Sequence, residues 1–281
     1  MKIIKRVEYS DFYYEGETEN GVPNGYGKRV YKSGNIIECT FENGMIAKKC
    51  YAKLTYADGQ KYEGQLVDTK RNGKGKFTWA DGSSYEGDFV NNDLTGKGKF
   101  IEKNGDVYVG DVVTGLYCGN GKLTKKNGDV YEGEFYGGKY HGKGKFKSKL
   151  GFYHEGIYCE GTPHGKGKCI FPNGDKFEGV LENGCMTFKG KYYFKNGDYY
   201  EGEFSNDKLH GKGTLKYANG NLYVGSFANG YRHGKGKLTI GNNWYEGEFT
   251  NGKVTGKGKM LLNGKVYEGY FEDGKYIGKN K

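Results

Sequence analysis

Tyr131-Glu132-Gly133-Glu134-Phe135, followed by a loop and then by His141-Gly142-Lys143-Gly144-Lys145-Phe146, is the phrase whose reading decides the fold. With Gly133 as anchor, the phrase recurs around Gly16, Gly64, Gly87, Gly110, Gly156, Gly179, Gly202, Gly225, Gly247 and Gly269, and Cys39 fills the one remaining slot. Every interval from Gly64 to Gly225 is 23 residues, the last two are 22, and an insertion after Cys39 stretches one to 25. A period this strict means one supersecondary unit copied along the chain, each copy burying its apolar face against its neighbours.

Within the copy Gly73 to Phe89, the run Gly75-Lys76-Phe77-Thr78-Trp79 alternates polar with apolar or small residues, Ala80-Asp81-Gly82 signals a turn, and Ser84-Tyr85-Glu86-Gly87-Asp88-Phe89 alternates again. Two period-two runs joined by a glycine-containing turn form a β-hairpin. No stretch carries a helical period. A turn centred on Gly82 places Phe77 opposite Gly87 and Phe89 opposite Gly75, so each ring covers a bare backbone. The same register sets Lys76 opposite Asp88 and Lys122 opposite Glu134.

Two columns build the expected core. The position two before the anchor holds Tyr85, Tyr131, Tyr200 and six more tyrosines, and the position two after it, as in Phe89, Phe135 and Phe204, is apolar everywhere except Thr18. Together with Gly87, Gly133 and Gly202 these are the structural residues of the repeat. On the opposite face Glu precedes the anchor in ten of twelve copies, Val109 and Val224 excepted, and Lys follows it by twelve in most, from Lys28 to Lys281. This is a solvated ladder of opposite charges, worth a few tenths of a kcal/mol per pair.

The phrase at Tyr131 to Phe135, with Asn127-Gly128-Asp129 ahead of it and Gly138-Lys139, His141-Gly142 and Gly144 behind, resembles the MORN repeat. The resemblance covers essentially all of residues 1–281, as about twelve repeats, and implies an all-β fold: an elongated, twisted, single-sheet rod of tandem antiparallel hairpins. The repeat near residues 36–58 is degenerate, since Cys39 replaces the anchor glycine and Lys48, Cys50 and Ala52 stand where neighbouring copies have glycine. Phe188 also replaces a glycine, and Arg29 enters a mostly apolar column.

Charge and composition narrow the function. The chain carries a formal net charge of +10, from 44 basic and 34 acidic residues. That permits acidic partners without naming one. The start Met1-Lys2-Ile3-Ile4 runs into Lys5 and Arg6, and no stretch approaches membrane-spanning length, so a cytoplasmic protein is expected. Six cysteines without a Cys-x-x-Cys pair form neither a disulfide framework nor a zinc finger.

Enzymes that carry MORN arrays add a separate catalytic domain, and the array here leaves no room for one. The Gly-x-Gly units open strands rather than helices, so no phosphate loop is expected, and neither a catalytic residue nor a cofactor is assigned. Cys118, His141 and His164 share the column eight after the anchor. Adjacent copies are about 9.5 Å apart, against 2.0–2.3 Å for a zinc ligand, so a metal there needs a second chain. The column ten after the anchor supplies Lys74, Lys97, Lys143, Lys166, Lys212, Lys235 and Lys257 as candidates for an anionic partner.

The resemblance implies a non-catalytic scaffold or adaptor holding other proteins together, often where cytoskeleton meets membrane. Two alternatives stand beside it: a module binding phosphoinositide or anionic phospholipid through the Lys column, and a regulatory arm of an enzyme complex. Homodimers are expected, since arrays of this family are often dimeric. Nucleic acid is not, because the aromatics are committed to packing.

Overall fold

The computed structural model describes residues 3–280. Lys281, the last member of the lysine column, lies outside them, as do Met1 and Lys2. Two compact units divide the chain, Met1–Lys139 and Tyr140–Lys281. Among the described residues all regular structure is strand, and each unit is an open antiparallel sheet whose strands pair in chain order, except that Ile36–Glu42 in the first unit pairs with both Met45–Ile46 and Lys49–Thr55. In the first unit, for example, Lys61–Val67, Lys70–Thr78 and Ser84–Val90 follow one another across the sheet. The expected all-β hairpin array is present.

The register differs from the expected one by two residues. Gly75 faces Gly87, Phe77 faces Tyr85, Gly73 faces Phe89 and Lys76 faces Glu86. The turn centres on Asp81 rather than Gly82, because the Asp81 carboxylate accepts hydrogen bonds from the Ser83 amide (3.0 Å) and the Ser83 hydroxyl (2.6 Å). Such an Asx turn closes the loop one residue earlier, with Gly82 at φ +87° completing it. The Asn127-Gly128-Asp129 turn has the same bond, from the Asp129 amide to the Asn127 side chain.

Glycine therefore faces glycine, and the covering ring is the tyrosine two before the anchor. Tyr85 lies over Gly87 and Gly98, which pair with one another; a Cβ on Gly98 would sit 2.2 Å from the Tyr85 ring, and one on Gly87 2.6 Å from its hydroxyl. A register shift just after the anchor frees carbonyls that the ladder leaves unmatched. The Tyr85 hydroxyl donates to one of them, Asp88 O at 3.0 Å, with Thr95 O at 3.3 Å. Tyr131 and Tyr200 do the same toward Glu134 O and Glu203 O.

In the second unit Tyr200, Tyr223 and Tyr245 each meet two phenylalanines edge-on. Tyr200 contacts Phe204 and Phe227 with centroids 5.2 and 5.0 Å apart, and Tyr223 contacts Phe227 and Phe249 at 5.1 and 5.0 Å. These T-shaped contacts add about 0.5–1.5 kcal/mol each beyond burial. Thr18, the polar exception, is buried and donates to Ile3 O at 3.0 Å. That bond ties in Ile3–Glu8, a strand outside the repeat phrase.

The degenerate copy places buried side chains where the other copies have a ring over bare glycines. Ile37 takes the tyrosine position, Cys39 the anchor, Ala52 the glycine position facing Gly64, and Cys50 the one facing Leu66. Ile37, Cys39 and Ala52 are all buried there, and Cys50 is half-buried beside them. Cys39 and Cys50 hydrogen-bond to one another, and burial pushes the Cys39 thiol up to about 12. Arg29 lies over the rings of Phe12 and Phe41 and donates to Gly44 O at 2.7 Å, which admits a guanidinium to an apolar column.

Candidate functional site

Because tyrosine rings occupy the Cβ side of the glycines, the other side of each glycine row is bare backbone. The residues flanking each glycine in its strand point to that side. Two charged rows therefore run across the strands, one on either side of a glycine floor. In the second unit they enclose a trough of about 1040 Å³ between Glu178 and Lys257, with Gly190, Gly213, Gly225 and Gly236 on its floor.

The first row is balanced. In the second unit Lys145, Lys168, Lys191, Lys237 and Lys259 face Glu155, Glu178, Glu201, Glu246 and Glu268, with nitrogen–oxygen distances between 3.1 and 3.9 Å. In the first unit Lys122 faces Glu132 at 4.0 Å and Lys53 faces Glu63 at 3.4 Å. The ladder exists, with the carboxylate before the anchor as partner in place of the expected Asp88 and Glu134. Lys122 and Asn120 show the shift directly, since Asn120 is the residue opposite Glu134.

The second row contains the candidate lysines, and it differs between the units. In the first unit Lys74 pairs with Asp88 at 2.7 Å and Lys97 with Asp111 at 2.5 Å. There the two-residue shift brings the acid after the anchor opposite these candidate lysines. Lys74 in turn holds the Asp88 carboxyl below its usual range, and Lys97 does so for Asp111.

In the second unit the residues opposite are different. Lys143 faces Ile157, Lys166 faces Val180, Lys212 faces Ser226 and Lys257 faces Tyr270. Among the described lysines of this row, only Lys189 and Lys235 face carboxylates, Glu203 and Glu248. Among the described residues Lys166, Lys189, Lys212, Lys235 and Lys257 enter no ion pair; Lys212 Nζ instead donates to the Ser226 hydroxyl at 2.8 Å. Strand Leu222–Ala228, at the middle of the trough, has Val224 and Ser226 beside its anchor, the one strand of the second unit's rows with no carboxylate at either position. Val224 was visible as an exception in the sequence; the gap it makes with Ser226 needed the register.

The shared Cys/His column is not brought together. Cys118 lies in the first unit opposite Asp111, and His141 and His164 lie on strands Lys139–Lys147 and Thr162–Ile170. Among the described residues no group of three metal-ligating side chains converges. The buried histidine is another one: His154 replaces the core tyrosine, its Nδ1 is 2.7 Å from the Tyr158 hydroxyl, and burial lowers its pKa to about 4.

The MORN repeat model matches residues 14–36, 62–84, 85–107, 108–130, 131–149, 154–176, 189–199, 200–222, 223–244 and 245–263. The chain belongs to the MORN-repeat family. The internal stretches left out of the ten matched MORN repeats include the degenerate copy around Cys39 and the segment from Phe177 to Phe188, the places where ring and glycine are exchanged. No curated protein matches the chain significantly.

Among solved structures, the TCP10 domain of Danio rerio CPAP, in complex with a peptide of STIL, is similar at a TM-score of 0.41 and 10% identity, over 85% of this chain and 96% of that one. The SAS-4 TCP domain of Drosophila melanogaster, in complex with a proline-rich motif of Ana2, gives 0.34 and 18%, over 53% and 84%. Both scores fall below 0.5, and neither says what this chain does. No helix among the described residues is long and apolar enough to cross a membrane.

Proposed function

We propose that this MORN-repeat chain is a non-catalytic scaffold that holds protein partners along its charged face. The trough of the second unit carries the reading. Its floor is backbone that no side chain covers, and its walls repeat the same charged positions from hairpin to hairpin. A surface of that kind offers many equivalent weak contacts to an elongated partner, and multiplied weak contacts rather than one deep pocket are how a scaffold gains affinity. The alternative of an anionic membrane loses part of its basis in the first unit, where Lys74 and Lys97 are neutralised by aspartates.

A benzophenone side chain introduced at Thr214, which lines the trough, tests the reading against one at Leu150, an exposed turn residue. Photolysis in cells of the source organism is expected to yield defined protein adducts from Thr214 and not from Leu150. Equal or absent labelling at the two positions contradicts a partner in the trough.

A further inference from the structure

The second charged row changes sign between the units. In the first unit the flanking positions of this row carry Glu17, Asp88, Asp111 and Glu134 against Lys74 and Lys97. In the second they carry six lysines against Glu203 and Glu248. The neighbouring balanced row carries five lysines and five glutamates in that unit. The net excess of four positive charges therefore lies on one side of the glycine floor, at intervals of about two strand spacings, roughly 9.6 Å.

From this juxtaposition we infer that the trough of the second unit receives an acidic polypeptide segment, its carboxylates along Lys189, Lys212, Lys235 and Lys257 on the trough wall and Lys166, the next lysine of the same row beyond the trough's end. The inference deepens the scaffold reading and rests on it. Three observations carry it. The lysines have no ion-pair partners among the described residues, so a ligand carboxylate replaces water and not an existing salt bridge. Strand Leu222–Ala228 presents Val224 and Ser226 where other strands present acids, which removes repulsion at the middle of the trough. The glycine floor leaves room for a main chain to lie between the rows.

A narrow polypeptide fits this arrangement better than a membrane. Glu178, Glu201 and Glu246 of the balanced row stand on the opposite wall of the same trough, and a continuous anionic surface meets both rows at once, whereas a single chain lies against one. Like charges in apposition cost specificity and affinity.

The test uses the full chain and a fluorescein-labelled poly-glutamate peptide, read by anisotropy at low and physiological salt. Binding is expected, weakening steeply with salt. The triple variant Lys166→Gln, Lys212→Gln, Lys257→Gln is expected to lose affinity by roughly tenfold. The same charge removed from the exposed first-unit residues, as Lys61→Gln, Lys103→Gln and Lys126→Gln, is expected to leave binding within about twofold. Circular dichroism establishes that both variants fold.

Poly-glutamate binding unchanged by the trough triple overturns the inference. So does co-sedimentation with phosphatidylserine vesicles that depends on the triple when poly-glutamate binding is absent, an outcome that assigns the row to an anionic surface. Absence of poly-glutamate binding together with specific adducts from Thr214 also overturns it and leaves the scaffold reading standing; loss of the Thr214 adducts overturns that reading instead.

Discussion

A single methyl group added at Gly98 tests why the repeat is written with glycine. Gly98 has ordinary strand dihedrals, so alanine meets no backbone strain there, and by propensity alone the change would stabilise by about 0.5–1 kcal/mol. The new Cβ, however, lies 2.2 Å from Tyr85 Cε2 and 2.5 Å from its Cζ, whereas ordinary contact begins near 3.4 Å. Tyr85 has nowhere to retreat. It is fully buried, its centroid is 5.4 Å from Phe89 and 4.7 Å from Phe100, and its hydroxyl is bonded to Asp88 O. Overpacking of about 1–3 kcal/mol plus a displaced hydrogen bond of about 1 kcal/mol, less the propensity gain, gives a net loss of about 1–3.5 kcal/mol for Gly98→Ala.

Tyr85→Ile alone opens a cavity and costs about 3 kcal/mol. The double variant recreates the Ile37 and Ala52 combination, and its cost is expected to fall short of the sum by about 2 kcal/mol, since the clash no longer exists. Trp79, stacked on Phe100 with centroids 6.2 Å apart, reports local unfolding in urea once Trp244 is replaced by phenylalanine. A local probe is needed because repeat arrays do not always unfold in one step. Strict additivity of the two substitutions would refute steric exclusion as the reason for glycine.

Three further outcomes follow from the same structure. Since burial depresses His154 to about 4 from an ordinary 6.5, the unfolded chain binds the extra proton between these values. Stability is then full above about pH 6.5 and falls toward pH 4, by about 2 kcal/mol at pH 5, a loss that His154→Phe should abolish in urea titrations at pH 7 and 5. Phe188 is exposed and has φ +57°, a conformation glycine adopts freely; Phe188→Gly is expected to raise the urea midpoint, by about 1 kcal/mol. With a thiol reagent at neutral pH, exposed Cys159 should react first, and buried Cys39 and Cys169, both pushed up to about 12, only on unfolding, as mass spectrometry of the labelled peptides will show.

The period, the hairpins and the aromatic core are legible in the sequence because they depend on alternation and spacing alone. Register is not, because it depends on where the turn closes. At Asp81 a side-chain hydrogen bond shifts the closure by one residue and every cross-strand partner by two. That one shift determined which carboxylate met Lys74 and which ring met Gly75. The degenerate copy around Cys39 is readable as an irregularity, while its meaning, buried side chains in place of a ring over bare glycines, appears only when Ala52 is seen opposite Gly64. The candidate lysines form a column in the sequence; the difference between Lys97, beside Asp111, and Lys212, beside Ser226, follows from pairing.

Lysine footprinting tests the binding face most directly: acetylation of each lysine of the full chain is quantified by mass spectrometry, with and without saturating poly-glutamate. Slowed modification of Lys166, Lys212 and Lys257, with Lys74 and Lys97 unaffected, is the expected result. Protection confined to the first unit, or spread evenly over all lysines, would contradict a partner lying in the trough of the second.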